Sequence, residues 1–333
     1  MSGRNHTPSP SRRVPVQIRT GAVIIAIATL MTSAFVAAYT VALGRPAPRH
    51  IPIAVVGPAD ATASSIAALS STQQHDLAPR AYQTRQAAVD AVDVGTVSAV
   101  IDGTATPTEL LVSTASDAST ARALEQIVPN VEPARLRVTD LHPLPASDPQ
   151  GLATFYVVIA ATILGFVTMF QLRANLNQVT LRQWLAVVAV LSMLGGATLS
   201  LVAGPVLDAL NPPFLQIWAL LALQIAIAAL FNSTMLVLIG RWAIIPTWTL
   251  FIVFGNTSSG GAVAAPLLPE PFASLNHALP TGATVSAIHA ATYFPGHQHI
   301  LPVLVLIVWL ILTFTALLAF ARILNRSPVS NTE

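Results

Sequence analysis

Cysteine and lysine are both absent from the 333 residues, and charge is scarce: sixteen arginines and fourteen Asp or Glu make up 9% of the chain. Without cysteine there is no disulfide framework and no thiolate metal or redox site. Without lysine there is no Walker A lysine, and no Gly-rich loop of that spacing occurs, so the chain is not itself a P-loop ATPase. His-Glu-x-x-His and Gly-x-Ser-x-Gly are missing as well. No catalytic, cofactor-binding or metal-binding residue is assigned on this reading, and the chain is not read as an enzyme. None of the acidic residues falls inside a long hydrophobic stretch. Ion-coupled transporters usually place an ionisable group there, so secondary coupling is disfavoured.

What is present is apolar: 53% of the residues are hydrophobic, more than a soluble surface could keep in water. Six charge-free stretches stand out, at residues 21–43, 151–172, 184–204, 214–239, 242 to about 268, and 300–321. Most exceed the roughly 20 residues needed to cross a hydrocarbon core of about 30 Å. The spacing predicts an α-helical polytopic membrane protein with six transmembrane helices, divided one plus five, whose main partner is the lipid bilayer. Residues 1–20 form a Ser/Pro/Arg arm expected to be disordered. Residues 21–43 are too long for a cleavable signal and read as a signal anchor. Residues 151–323 form the membrane domain and 324–333 a tail.

Arginine placement sets the orientation. Arg4, Arg12, Arg13 and Arg19, then Arg173 and Arg182, Arg241, and Arg322 and Arg326 all fall on one side of six crossings, while residues 205–213 and 255–299 carry no Lys or Arg. By the positive-inside rule both termini are cytoplasmic, and residues 44–150 are extracytoplasmic. The net charge of +2 is topological anchoring and does not indicate nucleic-acid binding. Abundant Ala, Pro and Arg without Lys points to a GC-rich bacterial gene and a multi-pass place in the cell membrane.

Residues 44–150 alternate strand and helix signals. Strands are expected at 51–56, 97–102, 109–114 and 135–141, the last with Leu136 and Val138 inward. Helices are expected from Asp60 to residue 69, from the Thr84 cap through 94 with Gly95 as terminator, and from the Asp117 cap through 128. Such an extracytoplasmic mixed α/β domain can close one small core in two layers.

The fifth stretch is irregular. Residues 242–255 give about 21 Å of helix, with Pro246 in the first half. Then comes the uncharged run Gly255-Asn256-Thr257-Ser258-Ser259-Gly260-Gly261. A helix broken there must be lined by protein, because lipid would leave its backbone unsatisfied. Residues 262–299 carry five prolines and read as an outer segment of short amphipathic helices, with Thr281 capping the second. Gly255, Asn256, Ser258, Ser259, Gly260 and Gly261, with Gln224 and Asn232 on the fourth stretch, are the candidates for a substrate path; interhelical hydrogen bonding is the alternative for the last two. His277, His289, His297 and His299 near Glu270 invite a metal reading, against surface histidines at loop ends. Ser192, Gly196, Ser200 and Gly204 are spaced by four, a smooth strip that serves packing within the subunit or a homodimer, and both stay open.

The run Phe254-Gly255-Asn256-Thr257-Ser258-Ser259-Gly260-Gly261-Ala262-Val263, with Leu267-Leu268-Pro269, Leu279-Pro280-Thr281-Gly282-Ala283 and Tyr293-Phe294-Pro295-Gly296, resembles signatures of ABC-2-type transporter membrane subunits. The similar branch comprises the phage-infection-protein-like (YhgE/Pip) permeases and the related SNG1-type membrane proteins. The resemblance runs from about residue 21 to 323, and Thr257 stands where that branch has proline. It implies a permease-like subunit that pairs with a separate ABC ATPase and exports a lipid, drug or envelope precursor. The connection from Arg173 to Arg182 is then the candidate ATPase contact. The alternative is a non-transporting receptor or envelope-interaction protein that displays the outer domain.

Overall fold

The computed structural model describes residues 16–44, 46, 48–72, 77–131, 136–176, 179–210 and 213–326. Arg4, Arg12, Arg13 and Arg135, most of the expected N-terminal arm, and residues 327–333 of the tail lie outside the described residues. Helix α1 (Val16–Leu43) leads into an α/β domain of β1 (Ile51–Val56), α2 (Ala59–Thr72), β2 (Leu77–Tyr82), α3 (Arg85–Asp93), β3 (Ala99–Asp102), β4 (Glu109–Val112), α4 (Ala118–Val131) and β5 (Arg137–Asp140). The sheet order is β2-β1-β3-β4-β5, with only the β3/β4 pair antiparallel.

Period-two alternation on β1 sends Ile51, Ile53 and Val55 to one face, where they meet Leu69 of α2 and Leu124 and Val128 of α4. Ala54 and Val56 face the other way, onto Ala88, Ala91 and Val92 of α3. Helices therefore cover both faces, three layers where two were expected, as parallel strands buried on both sides require. Thr84 caps α3 by accepting the Ala87 N–H, and Gly95 at φ +75° ends it. Asp117 caps α4, accepting from Ser119 N and Thr120 N. Strand β2 goes unread in the sequence because Pro79 interrupts it; as an edge strand it tolerates a missing N–H. Val138 was expected inward, yet it is 45% exposed, on β5 at the other edge of the sheet.

The bundle holds α5 (Ala153–Asn175), α6 (Leu181–Leu201), α7 (Phe214–Ile239), α8 (Ile244–Trp248), α9 (Phe272–Asn276), α10 (Pro280–Tyr293) and α11 (Leu301–Arg326). A π-helical turn, Val202–Val206, accommodates Pro205 after α6, and a π-helical segment, Thr249–Asn256, prolongs α8. Among the described residues, five helical runs are long and apolar enough to cross a bilayer: Ile18–Leu43, Ala153–Asn175, Leu181–Val206, Phe214–Asn256 and Leu301–Arg322. This is the architecture of an α-helical membrane protein. The 43-residue run folds back on itself. Thr247 Oγ1 donates to Asn232 Oδ1 at 3.1 Å, and the Phe231 and Phe251 ring centroids are 5.5 Å apart. Fifteen residues of straight helix would separate Asn232 from Thr247 by about 22 Å. The reversal occurs at Gly240, whose φ of 58° and ψ of −131° suit only glycine.

Helix α7 is the axis, packed by α5, α6, α10 and α11. Within the small strip, a Cβ on Gly196 would lie 3.0 Å from Ala222 N and Trp218 O of α7, so Gly196 packs against that helix, while one on Gly204, in the π-helical turn, would lie 3.1 Å from Leu210 O of the following connection. Ser192 and Ser200 are also buried. Helix α10 was expected as an amphipathic helix on the outer face. It is instead buried on most sides, with Thr284 bonded to Gln224 about 15 Å along α7.

Candidate functional site

The helical run that begins at Ile244 ends at Asn256, and the expected apolar continuation through residue 268 is absent. Thr257 N–H donates to Phe254 O, a bond that proline at this position could not make. The chain then turns through Ser258, whose N–H donates to Phe254 O, and Ser259, whose N–H and hydroxyl both donate to Asn256 O. Gly260 sits at φ +77°. Beyond it, Val263, Ala264 and Leu267 enter the core of the α/β domain beside Leu69, Leu124 and Val128, and Ala264 N–H donates to Ser119 Oγ at 3.0 Å. The run read as the top of a membrane helix is a strap joining the break to the α/β domain, because its apolar side chains find a protein core there instead of lipid. Leu268, one residue on, packs with Ala42 and Phe272.

Above the break lies a cavity of about 260 Å³ between bundle and α/β domain. Ser259, Gly260 and Gly261 form one wall. Asp117, Ser119 and Arg122 at the start of α4 form another, and Gln150, Asn276, Ser286 and His289 complete it. Arg122 Nη2 donates to Pro149 O at 3.1 Å. Burial pushes the Asp117 carboxyl up, against hydrogen bonds from Thr120 and Ser119. Burial pushes His289 down to about 4, leaving it neutral at ordinary pH. Seven of these wall residues were not singled out for the path, because Asp117, Ser119, Arg122 and Gln150 precede the break by more than a hundred residues, and Asn276, Ser286 and His289 follow it on later helices.

Below the break the bundle holds buried polar side chains in pairs. Gln224 Nε2 donates to Thr162 Oγ1 at 2.8 Å, and Thr284 Oγ1 lies 2.8 Å from Gln224 Oε1. Asn232 Nδ2 donates to Phe166 O, and Trp184 Nε1 to Ser233 Oγ. The path candidates thus separate into three sets. Ser259, Gly260 and Gly261 line the cavity, Gly255, Asn256 and Ser258 are buried beneath it, and Gln224 and Asn232 tie helices together. Thr281, expected as a cap, is not one: α10 starts at Pro280, Leu279 takes the cap position, and the Thr281 hydroxyl has no partner.

At the opposite end of the bundle, Arg173, Trp184, Ser233 and Leu317 line a recess of about 290 Å³, and Arg182 stands exposed in the first turn of α6. The histidines are dispersed: His289 meets the Tyr293 ring, and His299 Nε2 lies 3.5 Å from Val94 O. Among the described residues no three His, Asp or Glu side chains converge on one point. Ser113 Oγ lies 3.3 Å from His142 Nδ1, and His142 Nε2 lies 3.5 Å from Asp93 Oδ1, an oxygen that has no hydrogen-bond partner. Ser113 is only 2% exposed, and its contact with His142 joins the ends of β4 and β5. Comparison with family models, curated proteins and solved structures finds no match to this chain.

Proposed function

We propose that the chain is the permease-like subunit of an ABC-2-type export system, energised by a separate ATPase, and that it moves a lipid, drug or envelope precursor. In this reading six segments cross a bacterial cell membrane. The reversal at Gly240 separates the fourth from the fifth, both termini are cytoplasmic, and the α/β domain and cavity face outward. The observation that carries the proposal is a cavity walled by the broken helix on one side and the α/β domain on the other. Backbone freed from a helix inside a bundle is tolerated where it lines such a space, and transporters place substrates there. Arg173 and Arg182 then offer the ATPase a basic rim.

The receptor reading draws on the strap: with Val263, Ala264 and Leu267 in its core, the α/β domain is fixed to the bundle as a displayed module would be. Purification of the tagged chain from its own membrane separates the two. Export predicts a co-purifying nucleotide-binding subunit that is lost from an Arg173→Glu/Arg182→Glu variant of unchanged abundance. Recovery of the chain without such a subunit refutes export. Filling the cavity is a second test. Leucines at Gly260 and Gly261 are unsuitable, since a Cβ on Gly261 would lie 2.9 Å from Phe155 Cβ and Gly260 needs its positive φ. Ser286→Trp is suitable because Ser286 is exposed on the cavity wall. It is expected to abolish transport at normal membrane level.

A further inference from the structure

We propose that the groove between α1 and the bundle binds one anionic phospholipid, with its phosphate at Arg241 and an acyl chain between the helices. Helix α1 is held through its C-terminal half: the Phe35 and Trp248 ring centroids are 6.3 Å apart, Tyr39 hydrogen-bonds the Asn256 side chain, and Ala42 packs with Leu268 and Phe272. Toward its other end, helix and bundle part. They leave a groove of about 540 Å³, lined by Ile24, Ile27, Ala28 and Met31 of α1 and by Phe166, Val167 and Phe170 of α5. The α1 positions recur at helical spacing, so one face of that helix forms the wall.

The lining selects the ligand. Thr32, also in the groove, spends its hydroxyl on Ala28 O at 2.9 Å, and the remaining α1 and α5 side chains there are apolar. An apolar occupant follows. From Ile24 to Thr32 the wall is about 12 Å long, close to the depth of one leaflet of a hydrocarbon core about 30 Å thick, which suits an acyl chain lying along the helices. One charge lines the groove: Arg241. Phe35 meets Trp248 and Tyr39 meets Asn256, so α1 and the run from Ile244 are parallel, and Arg241, which precedes that run, lies toward the Ile24 end. Its guanidinium stands 5.1 Å from the Trp242 ring centroid. No ion pair among the described residues includes it, and the nearest acidic residues in sequence are Asp208 and Glu270. A guanidinium without a carboxylate can give a phosphate two parallel N–H donors. A zwitterionic headgroup would bring its own ammonium up to the arginine, whereas an anionic one brings none, so acidic lipid is favoured.

This inference is independent of the export reading, since its test reads lipid retention alone. The full chain, purified in detergent and supplied with equal amounts of phosphatidylglycerol and phosphatidylcholine, is examined by native mass spectrometry. The expected result is one phospholipid retained per chain, with phosphatidylglycerol favoured about fivefold, the effect of one arginine at a lipid surface. Arg241→Gln is expected to bring that preference close to parity. Arg322→Gln, at an exposed position of α11 outside the groove, keeps it. Ala28→Trp fills the groove from an exposed position on its wall and is expected to lose the retained lipid of either kind. Equal retention of both lipids by the parent, an undiminished preference in Arg241→Gln, or undiminished retention in a folded Ala28→Trp overturns the proposal. A lipid-free dimer that Ala28→Trp breaks also overturns it, by placing a second copy in the groove. If Ala28→Trp does not fold, Arg241→Gln decides alone.

Discussion

Leu267→Ala tests whether the strap and the α/β domain are one structure. Leu267 is 2% exposed and lies in the core formed by Ile51, Ile53, Leu69, Leu124 and Val128, although it follows that domain by more than a hundred residues. Truncating a buried leucine removes its transfer free energy and leaves a cavity, together costing about 2–5 kcal/mol. A loss of about 3 kcal/mol lowers amide protection by roughly 150-fold at positions that exchange through opening of the whole domain. Hydrogen exchange read at residues 51–56 and 99–102 in nanodisc-embedded protein should show that fall. Leu268→Ala is the control: Leu268 is fully buried against Ala42 and Phe272, so its truncation should leave β1 and β3 protected. Unchanged protection in Leu267→Ala, or equal loss in both variants, would refute the coupling.

Gly282→Ala should abolish folded protein, because its Cβ would sit 2.1 Å from a backbone oxygen of Asn276 that cannot step aside; size-exclusion profiles of the solubilised variant check this. For His289, folded and unfolded pKa values of about 4 and 6.5 mean that the unfolded chain takes up a proton the folded chain refuses. Stability is therefore complete above about 6.5 and lost as pH falls toward 4, at up to about 1.4 kcal/mol per pH unit; His289→Leu should remove that slope from Tm measured against pH. Asp90→Cys, on the exposed face of α3 in a chain without native cysteine, should react with an impermeant maleimide in intact cells. Reaction only after lysis would invert the proposed topology.

The apolar stretches and helix ends were legible because they depend on local signals. Residues 214–239 match α7 to the residue, and Thr84, Gly95 and Asp117 act where their side chains or backbone freedom suggest. The irregular run at Gly255–Gly261 was legible for the same reason: glycine, serine and asparagine in an apolar context cannot continue a lipid-facing helix. Its neighbours were not, since Ala262 through residue 268 is apolar and apolarity does not say whether lipid or a protein core will cover it.

Composition and periodicity thus determined that this is a helical membrane protein with an α/β insertion and a broken fifth stretch, because each follows from the energy of placing a side chain or a backbone group in water, lipid or a helix. Tertiary structure alone decided that α10 is buried among α5, α7 and α11, that the strap enters the α/β core, and that Asp117, Arg122 and His289 share a cavity with Gly260. Those outcomes depend on contacts between segments far apart in the chain, where shape complementarity chooses among several apolar or polar partners that the sequence presents as equivalent.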